Sequence, residues 1–312
     1  MPTQDLSTDR ILRKSATCAD KDHVAESFLS LRLDALRRAQ NPDGGWGYFP
    51  GKGSWLEPTA YAAVALYGEP AADRAWALLS SWQSADGSWR PCPGVNLASW
   101  GTSLCVTIAI ARKEWGAPLQ KGVEWLLGSS GVESRMVNRI AARIGLLKSE
   151  RDLGLKAWPW KPETSGWVEP TVHALVALKQ ASAKMASGEL RERVRLGEAE
   201  LMNVRSRDGG WNYGSPAALG VDLPSYPETT ALALVGLQER SGLGNAFEVA
   251  ARQLQDTPSP LARAWLTIAS RLHGAKPQEP AGELTGDLMI TAVEALAAAD
   301  GNYALMRTGG AA

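Results

Sequence analysis

The chain has 312 residues, enough to bury a core without disulfides or a structural metal, and its 33 basic and 33 acidic side chains cancel, which removes the field that would draw nucleic acid. Cys18, Cys92 and Cys105 are the only cysteines; they are far apart, with no Cys-x-x-Cys pair, so neither a disulfide framework nor a thiolate zinc site is expected and a reducing, cytoplasmic setting follows. Residues 1–25 are polar and charged, and no apolar run reaches the roughly 18 residues of a spanning helix, so neither a secretion signal nor a membrane span is read.

Three units are expected: a polar N-terminal segment at 1–25, one helical domain over 26–300, and a flexible tail at 301–312. An amphipathic run at 26–40 predicts the first helix. It closes on Gln40-Asn41-Pro42-Asp43-Gly44-Gly45-Trp46, and a more apolar helix follows at 57–67. The pattern recurs: a helix at 70–83, Gln83-Ser84-Ala85-Asp86-Gly87-Ser88-Trp89, and a helix at 100–112. A third copy has a helix at 189–205, Arg205-Ser206-Arg207-Asp208-Gly209-Gly210-Trp211, and a helix at 228–239. In each, Gly accepts the left-handed conformation of a helix C-cap, Asp bonds turn amides, and Trp plugs the gap between hairpins. The chain holds 13 Trp against 3 Phe, and the repeat absorbs part of that excess.

Between these copies lie degenerate ones. Lys121 to Leu127 begins an outer helix without the Gly-x-Trp ending, and Trp158, Trp160 and Trp167 precede a helix at 169–181. A fifth hairpin, 244–255 and 258–273, lacks the motif, and a helix near 286–299 closes the set. The insertion at 132–149 puts Arg135, Arg139 and Arg143 at four-residue spacing beside Met136, Ile140, Ile144 and Leu147. That pattern suits a solvated face over a packed one, or a peripheral membrane or diphosphate contact. The second helices are apolar nearly all round, as in 60–66 and 230–237, and such helices are buried on both sides. Concentric rings meet that need, with an inner parallel ring around a central cavity.

Glu57, Glu169 and Glu228 each stand just before Thr at the start of an inner helix. Two readings stand for them. A first-turn Glu suits the helix dipole, and Ser54 to Glu57 and Ser225 to Glu228 have capping-box spacing. Alternatively Pro58 takes the first helical position, leaving Glu57 ahead of the helix at the mouth. Parallel helix starts beside Trp55, Trp100, Trp167 and Tyr226 also suggest a rim for an anionic head, with an aromatic cavity for an apolar chain. Tyr61 and His173 fall at matching inner-helix positions and are expected to line that cavity.

Arg74, Ala75, Leu78, Leu79, Gln83, Gly87 and Trp89 resemble the tryptophan-glutamine repeat of squalene-hopene and oxidosqualene cyclases, with Leu78 in its aromatic slot. Lys121, Gly122, Trp125 and Leu126 match its front half, and Gln40, Gly44 and Trp46 its back half. The resemblance implies an all-α fold, an α/α toroid of about six helical hairpins, related also to protein-prenyltransferase subunits. Those subunits hold zinc with Asp, Cys and His, but here only His23, His173 and His273 exist and no Asp-x-Cys occurs, so no metal or cofactor is expected. The Cys-Gly-Glu-Gln of complement-type thioester toroids is absent too.

Cyclases of this kind start by protonating an alkene from Asp-x-Asp-Asp-Thr-Ala. Aligning Thr230-Ala231 with its end puts Glu228 in the proton donor's slot and Tyr226 in that of the first Asp, without flanking carboxylates. The implied function is terpenoid-cyclase-like: Glu228 as acid, with Trp55, Glu57, Tyr61, Trp100, Trp167, Glu169, His173 and Tyr226 binding an isoprenoid or other apolar small molecule. The family's two-domain build leaves open a non-catalytic toroid that binds a lipid or protein partner. A carbohydrate enzyme would need two carboxylates across a groove, whereas the repeats set these three side by side.

Overall fold

The computed structural model describes residues 28–146, 152–218 and 220–309. The polar segment 1–25, with Cys18 and His23, and Leu147 of the insertion lie outside them. In chain order the helices are α1 (28–39), α2 (Leu56–Ala65), α3 (Pro70–Ser81), α4 (Thr102–Ala111), α5 (Ala117–Gly128) and α6 (Met136–Arg143). There follow α7 (Val168–Met185), α8 (Gly188–Asn203), α9 (Pro227–Gly236), α10 (Gly244–Asp256), α11 (Pro260–Leu272) and α12 (Leu288–Ala297). Two short antiparallel ribbons pair Trp158–Pro159 with Gly166–Trp167 and Ala217–Ala218 with Val221–Asp222.

Helices α2, α4, α7, α9, α11 and α12 each pack on the next, and α12 returns to α2. This is the α/α toroid that the repeats predict. Helices α1, α3, α5, α8 and α10 form the outer layer. The chain runs from 275 to 287 without a helix, so α12 has no outer partner following α11. No helix among the described residues is long and apolar enough to cross a membrane. The inner helices are buried on both sides, as Thr102 through Ala109 are throughout α4. A buried ion pair ties the first helix to the last: Arg32 Nε donates to Glu294 Oε2 at 3.0 Å, and its Nη2 donates to the carbonyls of Gly282 and Glu283.

The repeated loop is a hydrogen-bond device. Indole Nε1–H of Trp46, Trp89 and Trp211 donates to the carbonyl of Leu36, Leu79 and Leu201, at the end of the preceding outer helix. The backbone N–H of the same residues donates to Oγ1 of Thr59, Thr102 and Thr230, inside the following inner helix. Each ring is 0–1 % exposed. Trp158 does the same with Leu126 and Thr171, which makes it the plug of the degenerate third repeat. Gln40 and Gln83 brace the loop by donating to the carbonyl of Gly44 or Gly87 and to a carbonyl of the next outer helix, Ala71 or Pro118. In the third motif copy Arg205 replaces Gln, donating to Gly209 and Gly242. Gly87 has φ +93°, and an added Cβ would lie 2.3 Å from the Lys121 carbonyl oxygen, so conformation and space both require glycine.

Two expectations change. The expected flexible tail is docked as far as 309: residues Asn302–Met306 form a 3-10 turn at the C-terminal end of the inner ring. Asn302 donates to the carbonyls of Val64 and Ala65. Gln180 and Gln238 donate to carbonyls of Leu305, Met306 and Arg307. The segment thus satisfies exposed helix-end carbonyls and the backbone that covers them. The centre of the ring is also filled. Tyr61, His173, Trp100 and Trp265 pack with ring centroids 5.2–6.1 Å apart, edge to face except for the tilted Trp100–His173 pair, leaving a void of about 20 Å³ lined by Tyr61, His173, Val176 and Met306 among others. That is room for one water at most.

Trp89→Ala is expected to cost about 3–5 kcal/mol, from the cavity and the unpaired Leu79 carbonyl, and Gly87→Ala to cost less but still destabilise. Denaturant unfolding measures both. A Trp89→Ala midpoint equal to that of the parent would refute the plug.

Candidate active site at the carboxylate ring

The Thr that accepts from Trp fixes the register of each inner helix. Two residues before it stand Glu57, Trp100, Glu169 and Glu228, on α2, on the turn opening α4, on α7 and on α9. Two residues after it stand Tyr61, Leu104, His173 and Leu232. Positions four apart share a helix face, so the first set forms a ring at the mouth and the second a layer one turn deeper.

Of the structural reading of the acids, the first-turn placement holds, since Glu57, Glu169 and Glu228 each lie in the first turn of their helix, but the capping boxes do not. The N-cap residues of α2, α7 and α9 are Trp55, Trp167 and Tyr226, and none makes a side-chain cap bond. Ser54 Oγ instead donates to Asp43, and Ser225 Oγ accepts from Gln253. Helix α2 begins at Leu56, so Pro58 is its third residue and Glu57 lies inside the first turn. The glutamates face one another in a pit that solvent reaches only in part.

Their electrostatics follow. Burial, then the like charges of Glu57 and Glu228, push the Glu169 carboxyl well above its ordinary 4.5. Burial raises Glu57 too, opposed by the Tyr48 hydroxyl, which donates to Glu57 Oε2 at 2.5 Å; Asp287 and Glu228 add repulsion. Burial raises Glu228. No lysine or arginine among the described residues lowers any of the three. Below the ring, Tyr61 and His173 join at 3.1 Å through the hydroxyl and Nε2. Burial drives the imidazole down to about 3, so it is neutral at physiological pH. Both side chains are buried; they form the floor of the pit rather than the wall of an open chamber.

The predicted aromatics divide. Trp55 and Trp167 are 39 % exposed and Tyr226 43 %, forming a collar at the rim. Trp100 lies inward, its ring 5.1 Å from Trp160 and 5.2 Å from His173. Sequence reasoning passed over Tyr48, Tyr213, Asp287 and Trp265. Tyr213 stacks on Trp167 and Tyr226, and Trp265 completes the floor on α11, where the loop motif that sets the register elsewhere is missing.

No protein-family model matches the chain, and no curated protein matches it in sequence. Solved structures do. Type II terpene cyclase MstE from Scytonema, in complex with geranylgeranyl dihydroxybenzoate, aligns at TM-score 0.55 with 15% identity over 89% of this chain and 98% of its own. Endoglucanase Cel10, a family 8 glycosyl hydrolase from Klebsiella pneumoniae, aligns at 0.59 with 14% identity over 86% and 97%. A protein from Actinoplanes aligns at 0.52 with 21% identity over 86% and 79%. At these identities the likeness establishes the α/α toroid fold alone, which a terpene cyclase and a glycosyl hydrolase share.

A carboxyl whose pKa is raised by folding favours the native state below its unfolded value of 4.5 and loses that advantage as pH rises through the folded value. Glu169→Gln, which cannot ionise, is therefore expected to melt higher than the parent at about pH 8 and no higher at about pH 4. Thermal melts across that range check it; a gain independent of pH would deny Glu169 a buried proton.

Proposed function

We propose that the chain is a terpenoid-cyclase-like acid catalyst acting on an uncharged, apolar isoprenoid-type molecule held at the mouth of the toroid. The observation that carries this reading is the ring of Glu57, Glu169 and Glu228, unneutralised by any described cation and enclosed by aromatic faces. A general acid must hold its proton at neutral pH, and burial beside like charges makes Glu169 that acid. It displaces Glu228, whose carboxyl burial raises less strongly. In the reaction the Glu169 proton passes to one alkene carbon, whose π electrons form the C–H bond. The cation left on the neighbouring carbon lies against Trp100 and Trp167, whose ring faces attract it. A ring-closing alkene attack moves the cation, and a carboxylate removes a proton from the carbon beside it, leaving an isomer of the substrate. Glu57, kept the more acidic by Tyr48, takes that proton. The MstE alignment over nearly its whole length supports a single toroid as sufficient for such chemistry.

A second reading rests on a different observation. Carboxyls set apart in acidity beside exposed tryptophan and tyrosine faces also suit glycoside cleavage, in which rings stack on sugars. Purified protein incubated with squalene, a prenylated phenol series and, separately, soluble glucans and mannans distinguishes the two by mass spectrometry. Substrate isomers that fall at least about a hundredfold in Glu169→Gln are expected. Shortened glycans lost in the same variant would move the function to carbohydrate. Saturable apolar binding without turnover, unchanged in Glu169→Gln, would make the chain a binding toroid.

A further inference from the structure

Of helices α2 to α12, only α6 buries no side chain. Its apolar residues are turned outward: Met136 is 74 % exposed, Val137 67 %, Ile140 50 % and Ile144 64 %, with Leu146 just beyond at 80 %. Positions 136, 137, 140 and 144 share one helix face, so this is an amphipathic helix whose apolar side has no partner among the described residues. Arg135, Arg139 and Arg143 occupy the adjoining side, and no acid lies between 135 and 146. Arg135 is paired with Glu163. A packed apolar face under a solvated one, as the spacing alone suggests, is not what the fold provides.

The position of α6 narrows the choice of occupant. Val132 N–H donates to the Thr164 carbonyl at 3.1 Å, and Gly166 N–H donates to Glu133 at 2.9 Å. These bonds root α6 beside Trp167, the residue that opens α7. The helix therefore stands at the same end of the toroid as the carboxylate ring, next to the collar of Trp55, Trp167, Tyr213 and Tyr226. A stable protein interface needs about 800 Å² per partner, and a helix of eight residues is only about 12 Å long. A lipid surface needs less: a shallow apolar strip, flanking cations for anionic headgroups, and tryptophan and tyrosine at the polar–apolar boundary. All three are present at this end. We infer that α6 and the aromatic collar seat the mouth of the toroid on an anionic lipid surface, with the apolar face of α6 in the headgroup–acyl boundary. The inference does not depend on the chemistry proposed for the ring.

The test is sedimentation of the full chain with phosphatidylcholine vesicles, with and without about one-third phosphatidylserine. Binding is expected to the anionic vesicles and to weaken as salt rises. Ile140→Asp combined with Ile144→Asp should weaken it at least about tenfold with an unchanged thermal melt, since α6 buries nothing. Arg139→Gln with Arg143→Gln should remove most of the preference for phosphatidylserine. Glu169→Gln should bind as the parent does, so a failure of the acid chemistry leaves this result intact. A parent protein that does not sediment, or a paired Asp variant that binds like it, overturns the inference. So does a dimer in size-exclusion chromatography that the paired variant dissolves, which would assign the face to a second copy.

Discussion

Four hydrogen bonds of one kind organise this protein: the backbone N–H of Trp46, Trp89, Trp158 and Trp211 to a threonine hydroxyl in the following inner helix. Each bond is buried, so losing it would leave an amide unpaired in a low-dielectric core, at about 1–3 kcal/mol. The indole of the same residue reaches back to the preceding outer helix. One residue thus fixes both the spacing between layers and the rotation of the inner helix about its axis. Rotation decides which side chains face the axis of the ring. With threonine committed to the loop, the residues two before and two after it must point inward, and the acid ring and aromatic floor follow from that.

The acids then sit between opposing effects, and magnitudes decide the outcome. A helix N-terminus favours a carboxylate by about 0.3–1 kcal/mol. Two unit charges about 6 Å apart at an effective dielectric near 20 repel by roughly 3 kcal/mol, and burial adds a penalty of the same sign. Repulsion and burial exceed the dipole, so all three carboxyls are pushed above their ordinary value. The Tyr48 hydroxyl breaks the symmetry among the three by stabilising the charged form of Glu57. An acid and a base can then coexist within one ring at one pH.

Much of this was legible in the sequence because it repeats. The Asp-Gly-x-Trp loops and the alternation of charged and apolar helices gave the toroid, and the Glu-x-Thr starts marked Glu57, Glu169 and Glu228 as equivalent positions, as they did Tyr61 and His173. What was missed lacks a repeat to mark it. Trp158 plugs a loop that has no Asp-Gly turn, Trp265 lies on a helix without the motif, and Tyr48 is an irregular loop residue set by a tertiary contact. The capping reading of Glu57 and Glu228 failed because serine at the right spacing was already engaged, by Asp43 and by Gln253. Local spacing cannot reveal a competitor brought from elsewhere in the chain. The docked 302–309 segment was missed for a related reason: it is held by inner-helix ends and by Gln180 and Gln238, not by any pattern of its own.

The filled centre changes where chemistry can occur. Four large rings and Met306 occupy the axis, so a bulky ligand cannot pass along it, and the C-terminal turn closes the far end. A groove of about 1140 Å³ beside the ring, lined by α10, α11 and residues 275–283, touches none of the three glutamates, so on the axis itself what stays open is the mouth, where the inner helices begin and the exposed aromatics gather. A neutral imidazole and a tyrosine beneath the acids present no charge that would neutralise them, so the floor preserves the raised pKa values instead of quenching them. On the proposed reading, proton transfer would be directed outward, to a molecule at the rim. Specificity then resides in the collar and the nearby loops, elements that the repeat leaves free to vary while the threonine register stays fixed.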